Sequence, residues 1–377
     1  MDQLKDNKGK VYFVSGGGTG GHIYPAIAVV DELLANEKDA KIFYVGNKNN
    51  LEYSIVSQRE NVEFLSVNVS GMPRKAGFTF IKWLTNLVFA VVKAMNYILK
   101  YKPDAIFTTG GYVSAPLAMA AVVLKKPFMI HDCDAHPGLV SKAVAPYANI
   151  VSVAFEKSKE LLKSSNINFN GNPIRKSFAL YSKQSARAEL GLRDKMTVLV
   201  MGGSQGAKTL NNAALEMAQE LVEELDIQLI IQTGKKNYDK AIERLEVYFP
   251  HYSENTNLLV RPYFDDMAIP LKASDIVVAR AGSLSLSEIN VCALASILVP
   301  YPHAAADHQR KNAKEMCGKG ASLYLEDSDC TRNNLIEKVK SLIFDPQKVF
   351  EMGQAAKSLS KEDATENIVK QLKSIIK

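Results

Sequence analysis

Two glycine-rich turns constrain this chain more than any other feature. Each is entered from a short apolar run and left through a helical pattern. The first is Val11-Tyr-Phe-Val-Ser15, then Gly16-Gly-Gly-Thr-Gly-Gly21 and His22. The second is Thr197-Val-Leu-Val-Met201, then Gly202-Gly-Ser-Gln-Gly-Ala207. Glycine lets a ligand approach the backbone and accepts positive φ. A helix starting behind such a turn offers unpaired N–H groups and a positive dipole end, which suits phosphate. One such turn is common. Two imply similar α/β halves facing one another across a phosphate-bearing ligand, and 377 residues suffice for two cores.

The rest of the pattern agrees. Apolar runs at 11–15, 41–46, 62–67, 104–109, 127–131 and 149–154 alternate with helical patterns near 22–36, 50–58, 79–99, 113–125 and 156–163. The plan repeats with strands at 197–201, 228–233, 257–262, 275–279, 296–300 and 321–325. Its helices fall near 207–225, 236–247, 284–293, 307–318, 331–343 and 362–376. Such alternation predicts parallel sheets covered on both faces. The turn-rich stretch Asn168-Phe-Asn-Gly-Asn-Pro-Ile-Arg175 reads as a linker. We therefore expect a first domain over 1–167, a linker over 168–180 and a second domain over 181–352. A C-terminal helix within 353–377 is free to cross back to the first domain.

Several classes fall away. A net charge of +6 without a concentrated basic run gives no support for a nucleic-acid partner. Cys133, Cys292, Cys317 and Cys330 are scattered without a CxxC pair, which reads as reduced thiols and gives no zinc site. The first ten residues are polar and charged, unlike a secretory leader. Gly16, Gly18 and Gly21 match a dinucleotide fingerprint. However, the second strand ends in Gly46 and Asn47, without the acidic residue that would bind a ribose. The nicotinamide or flavin reading is weakened accordingly.

Ligands of open parallel sheets sit outside the carboxyl ends of the strands, so candidate residues are sought there. His22, at the mouth of the first turn, suits a base working near neutral pH or a helix-end hydrogen-bonding group. In Arg280-Ala-Gly-Ser-Leu-Ser-Leu-Ser-Glu288, Ser283 or Ser285 can cap a helix whose N–H groups hold phosphate. Glu288 can take ribose hydroxyls or merely oppose the dipole. Asp307 and Gln309 offer partners to sugar hydroxyls, or form a solvated helix start. Over Phe78–Lys100, Lys82, Asn86, Lys93, Asn96 and Lys100 fall within about 80° of a helical wheel, which marks an amphipathic helix and not a membrane span. Phe89 shares that stripe, and Met72-Pro-Arg-Lys75 precedes it. Basic residues beside exposed aromatics suit an anionic membrane surface; an ordinary domain helix fits equally.

Together these segments resemble the MurG family of glycosyltransferases, which adds N-acetylglucosamine to lipid I in peptidoglycan synthesis. The matching pieces are Gly17-Gly-Thr-Gly-Gly-His22, Gly110-Gly-Tyr-Val-Ser114, Gly171-Asn-Pro-Ile-Arg175, Gly202-Gly-Ser-Gln-Gly-Ala207, Arg280 to Glu288 and Val299 to Ala313. The resemblance implies the GT-B architecture, two Rossmann-like parallel-sheet domains facing a cleft. It implies an inverting transfer from UDP-N-acetylglucosamine to the C4 hydroxyl of N-acetylmuramic acid on the lipid. It also implies a peripheral place on the anionic cytoplasmic face of the cell membrane, with cell-wall and division proteins as further partners. Ser204, Ser283, Leu284, Ser285 and Arg175 then resemble diphosphate contacts, Glu288 the ribose carboxylate, and Phe264 the residue whose backbone meets uracil. Gln309 and Asp307 resemble readers of sugar hydroxyls, while Thr19, Gly20 and Gly21 line the cleft. His22 leads as the base, with Asp132 second. No DxD-like pair is evident, so no cofactor and no obligatory metal is expected. One departure stands out: the family's His-Glu-Gln-Asn is here His131-Asp-Cys-Asp134, so Asp134 replaces a donor-sugar amide by an acid. The competing expectations are another UDP-sugar enzyme of this fold, namely a glycolipid synthase or a 2-epimerase, and a non-catalytic UDP-sugar sensor.

Overall fold

The computed structural model describes residues 9–73, 77–203, 206–304 and 307–376. Two compact units result. One comprises the chain up to Arg175 together with Glu362 onward, and the other comprises Lys176–Lys361.

In the first unit the strands are β1 (Val11–Ser15), β2 (Lys41–Gly46), β3 (Val62–Ser66), β4 (Ala105–Thr108), β5 (Phe128–Asp132), β6 (Ile150–Val153) and β7 (Ile167–Phe169). All pair in parallel, in the order β3-β2-β1-β4-β5-β6-β7. Side chains alternate across a strand, and both faces are buried. Phe13, Phe43, Ile106, Phe128 and Val151 feed one core. Tyr12, Val14, Tyr44, Phe107 and Met129 feed the other. That is why these runs read as continuously apolar.

The second core also takes Ile368, Val369 and Leu372 of the helix Ala364–Ser374. The segment expected as a linker over 168–180 is only partly a connector. It begins inside β7, and its asparagines are buried partners of the first unit: Asn170 Nδ2 donates to Ser152 Oγ at 2.9 Å, and Asn172 Oδ1 meets His131 Nε2 at 3.0 Å. The helix expected near 362–376 is found at Ala364–Ser374, and a further helix, Pro346–Ser358, runs across the expected boundary at 352/353. Pro346–Ser358 belongs to the second unit and Ala364–Ser374 to the first.

The second unit has β8 (Thr197–Met201), β9 (Gln228–Gln232), β10 (Leu258–Arg261), β11 (Ile276–Ala279), β12 (Ala295–Leu298) and β13 (Ser322–Tyr324). These too are all parallel, in the order β10-β9-β8-β11-β12-β13. In each sheet the order reverses beside the strand that enters a glycine-rich turn: between β1 and β4, and between β8 and β11. Those reversals open the crevices in which doubly wound sheets hold ligands.

Among the described residues one helix, Phe78–Tyr101, is long and apolar enough to cross a membrane, with a mean hydropathy of 1.4. Only Ala90, Ala94 and Ile98 of it are buried, in the first core. Its outer surface carries the expected polar stripe and, beside it, an apolar row of Ile81, Leu84, Val88, Val92 and Leu99. Phe78 and Phe89 are 81% and 75% exposed. Arg74 and Lys75 of the basic patch lie outside the described residues.

Candidate active site

At the first crevice the chain leaves β1 through Gly16–Gly18 and enters the helix Gly20–Asn36 behind Thr19, which has no side-chain capping bond. No acidic residue occupies the helix's first turn. Thr19 is exposed, and Gly20 and Gly21 are half-buried. Tyr44 donates its hydroxyl to the Gly16 carbonyl, and Glu52 accepts the Gly18 and Asn47 amides at 3.3 and 3.1 Å. His22 lies half-buried across the crevice from the β4 end. Its Nδ1 is 2.9 Å from the Thr109 carbonyl oxygen, and Thr109 Oγ1 donates to the His22 carbonyl at 2.7 Å.

Beyond β5, Asp132 is almost wholly buried. Its two oxygens accept the amides of Asp134 and Gly138, each at 3.2 Å. Burial pushes the Asp132 carboxyl up from its ordinary value, and the Asp134 charge adds to the effect. The same carboxylate thus shapes the turn it sits in. Asp134 is half-buried, and its carbonyl accepts Ser158 Oγ at 2.9 Å. His131 is buried between Ser152 and Asn172, and burial holds its pKa down at about 4. Arg175 closes the first unit, its guanidinium 5.2 Å from the Tyr24 ring centroid.

The second crevice repeats the scheme. Ser204 lies outside the described residues. Gly206 has φ +73°, and a Cβ there would lie 2.3 Å from both Asn237 Nδ2 and the Thr233 carbonyl oxygen, so only glycine closes this turn. After β11, Gly282 precedes the helix Ser283–Val291, whose first turn carries neither an acidic residue nor a side-chain cap. Ser283 and Leu284 are buried, Ser285 is half-buried, and Glu288 is buried one turn on. Arg280 braces this start: its Nη1 donates to the Val299 and Pro300 carbonyls at 3.0 and 3.1 Å and pairs with Asp327 at 2.6 Å. Asn312 Nδ2 donates to the Ala281 carbonyl at 3.2 Å.

Three sequence-predicted contacts are partly engaged within the unit. The Phe264 amide donates to Gln232 Oε1 at 2.9 Å. Gln309 Oε1 accepts the Tyr301 amide at 3.0 Å. Asp307, at φ +57°, accepts Arg310 Nη1 at 3.1 Å. The sequence reading gave no individual role to Glu52, Thr109, Gln232 or Asn312. Thr109 and Gln232 share a legible signal, a polar residue at the carboxyl end of an apolar strand. Among the described residues no three His, Cys, Asp or Glu side chains gather in a way that could hold a metal ion.

Fold and crevices define a class, and the comparisons specify it. The N-terminal domain of glycosyltransferase family 28 matches residues 12–153, and its C-terminal domain matches 197–368. Over 97% of its length the chain is 37% identical to the UDP-N-acetylglucosamine–N-acetylmuramyl-(pentapeptide) pyrophosphoryl-undecaprenol N-acetylglucosamine transferase of Caldanaerobacter subterraneus subsp. tengcongensis, 99% of which is covered. The chain belongs to the MurG family of glycosyltransferases. The crystal structure of MurG from Acinetobacter baumannii aligns with a TM-score of 0.73 at 24% identity, over 97% of this chain and 99% of that one. A putative UDP-N-acetylglucosamine 2-epimerase from Listeria monocytogenes aligns with a TM-score of 0.68 at 15% identity, over 97% and 96%. Fold alone thus does not separate a transferase from an epimerase; the sequence likeness favours the transferase.

Proposed function

We propose that this protein transfers N-acetylglucosamine from UDP-N-acetylglucosamine to the C4 hydroxyl of the N-acetylmuramic acid carried on undecaprenyl diphosphate with its pentapeptide, with inversion to a β-1,4 linkage. The observation that carries this reading is the likeness, along almost the whole chain, to a protein bearing that name. The acceptor oxygen bonds to the anomeric carbon as the bond from that carbon to the diphosphate breaks. The hydroxyl proton passes to His22 Nε2 and then to water, and UDP leaves as its anion.

The local geometry supports these roles. A backbone carbonyl can only accept, so Nδ1 of neutral His22 carries the proton and Nε2 presents a lone pair. The uncapped start of the helix Ser283–Val291 offers N–H groups to the diphosphate. Glu288 takes the ribose, the Gln309 NH2 and Asp307 read the sugar, and the Phe264 carbonyl meets the uracil, its amide being engaged with Gln232. Arg175 and Thr19, Gly20 and Gly21 complete the substrate contacts. No step requires a protein-bound metal or cofactor. The exposed apolar row of the helix Phe78–Tyr101 rests on the anionic lipid surface that presents the acceptor.

The test is a radiolabelled transfer assay with a short-chain lipid I analogue. Transfer of label, with UDP release dependent on the acceptor, is the expected result. Conversion of UDP-N-acetylglucosamine to its 2-epimer without acceptor, or tight UDP-sugar binding with no turnover, would replace this reading by the epimerase or the sensor. His22→Gln is expected to lower kcat about 100- to 10,000-fold, the usual range for loss of a general base.

A further inference from the structure

We infer that Thr109 is a positioning residue for this transfer: its carbonyl and hydroxyl together hold the His22 imidazole in the tautomer and orientation that a base requires. The inference rests on the reading of His22 as the base. Four observations carry it.

The two residues are tied reciprocally. The Thr109 carbonyl accepts from His22 Nδ1 at 2.9 Å, and Thr109 Oγ1 donates to the His22 carbonyl at 2.7 Å. One bond fixes the ring and the other fixes the backbone that carries it, so Nε2 has a set direction as well as a lone pair.

Thr109 is itself fixed. It is fully buried and follows β4, and its amide donates to the Ser15 carbonyl of β1 at 3.0 Å. The tie therefore spans the point where the strand order reverses.

The helix start that carries His22 lacks one of its own bonds. Pro25 has no N–H to give the Gly21 carbonyl. Beside that gap the Thr19 carbonyl accepts the His22 and Ile23 amides at 3.1 and 3.2 Å, and Thr109 Oγ1 adds its bond to the His22 carbonyl.

The first glycine of the loop answers to this contact. A Cβ on Gly16 would lie 2.1 Å from Thr109 Oγ1 and 2.5 Å from the His22 carbonyl oxygen. Gly16 is bare so that the threonine can reach across it.

The titratable groups around this pair are His131, Asp132, Asp134 and Cys133. Cys133 Sγ also reaches the Thr109 carbonyl, at 3.8 Å. None of them offers His22 Nδ1 a competing acceptor among the described hydrogen bonds.

The experiment compares Thr109→Val, which keeps shape and loses the hydroxyl, with Thr109→Ser, which keeps the hydroxyl, in the full chain with the lipid I analogue from pH 5.5 to 9. For Thr109→Val we expect kcat to fall about 10- to 100-fold, KM for either substrate to stay within about threefold, and the acidic limb of the kcat profile to move. Thr109→Ser should return kcat to within about threefold of the parent. A merely structural bond would lower the melting temperature and leave kcat and the limb of the folded enzyme unchanged, and that result overturns the inference. If Thr109→Val does not fold, nitrogen NMR of the parent decides. His22, assigned among the six histidines with His22→Gln, should carry its proton on Nδ1, and a proton on Nε2 at neutral pH overturns the inference. If His22→Gln keeps parental turnover, the base reading itself fails. If His22→Gln is inactive while Thr109→Val behaves as the parent, only the positioning inference fails.

Discussion

His131 and Asp134 carry residue-scale consequences that can be measured separately. His131 is buried neutral, its pKa held down at about 4 by burial from the ordinary 6.5. A group whose folded value is depressed stabilises the fold above its unfolded value, and that stability is lost as pH falls through 6.5 toward 4. The first unit should therefore lose about 2 kcal/mol between pH 7 and pH 5, read by urea unfolding, and a His131→Gln variant should lose much less over that interval. Equal losses in both would dismiss this account. The resemblance reads Asp134 as an acid in place of a donor-sugar amide, and under the proposed function that charge would repel the departing diphosphate. Asp134→Asn should raise kcat/KM for UDP-N-acetylglucosamine about fivefold, equivalent to ~1 kcal/mol. A fall would mean that the acid is an adaptation. The residue scale is also where the sequence was least legible. His22 and the Gly16 loop could be named from the sequence as candidates, but Thr109 lies 87 positions from His22, and nothing local announces their tie. The loop glycine was read as room for phosphate; the group that a Cβ there would meet is a threonine hydroxyl.

At the scale of elements, the parallel strands were legible because both faces are buried and each run is apolar throughout. β7 was not, since Asn, Gly and Pro around it signal turns when read locally. Those asparagines work instead as buried hydrogen-bonding partners. The helix Pro346–Ser358 was missed for a related reason. Phe344-Asp-Pro346 reads as a stop, yet Asp345 is the N-cap that accepts the Lys348 amide at 3.0 Å, and Pro346 sits in the first turn, where its missing N–H costs nothing. The helix Phe78–Tyr101 was legible as amphipathic, but its apolar row was not recognisable as exposed until its packing was known. Ile81 and Val88 lie on that row with solvent around them. Replacing both by Asp should reduce co-sedimentation with phosphatidylglycerol vesicles at least about tenfold, since each apolar side chain contributes ~1 kcal/mol or more on burial in lipid. Transfer to a water-soluble acceptor analogue should stay within about twofold. Undiminished vesicle binding would remove the helix from the lipid surface.

At the scale of the whole molecule, the chain ends by completing the unit it began. The helix Ala364–Ser374 buries Ile368, Val369 and Leu372 in a core whose other members all precede residue 151. It also ties in polar groups: Asn170 and Gln371 exchange hydrogen bonds at 2.9 and 3.1 Å, Thr365 Oγ1 donates to the Ile174 carbonyl at 3.2 Å, and Lys373 pairs with Glu37 at 2.6 Å. The three apolar side chains contribute roughly 5–9 kcal/mol of gross burial, part of which the ordering of the helix offsets. Removing Gln371 also leaves Asn170 short of a buried partner, at about 1–3 kcal/mol. Against a domain stability of about 5–15 kcal/mol, the net loss is large enough to unfold the first unit. The second unit is contiguous from Lys176 to Lys361 and needs no segment from elsewhere. A fragment of residues 176–361 should therefore melt cooperatively, whereas residues 1–175 alone should lack a cooperative transition and regain one when a peptide of residues 362–377 is added. Cooperative melting of 1–175 within about 2 °C of the first unit in the full chain would show that this helix is an ornament on a finished fold and not part of its core.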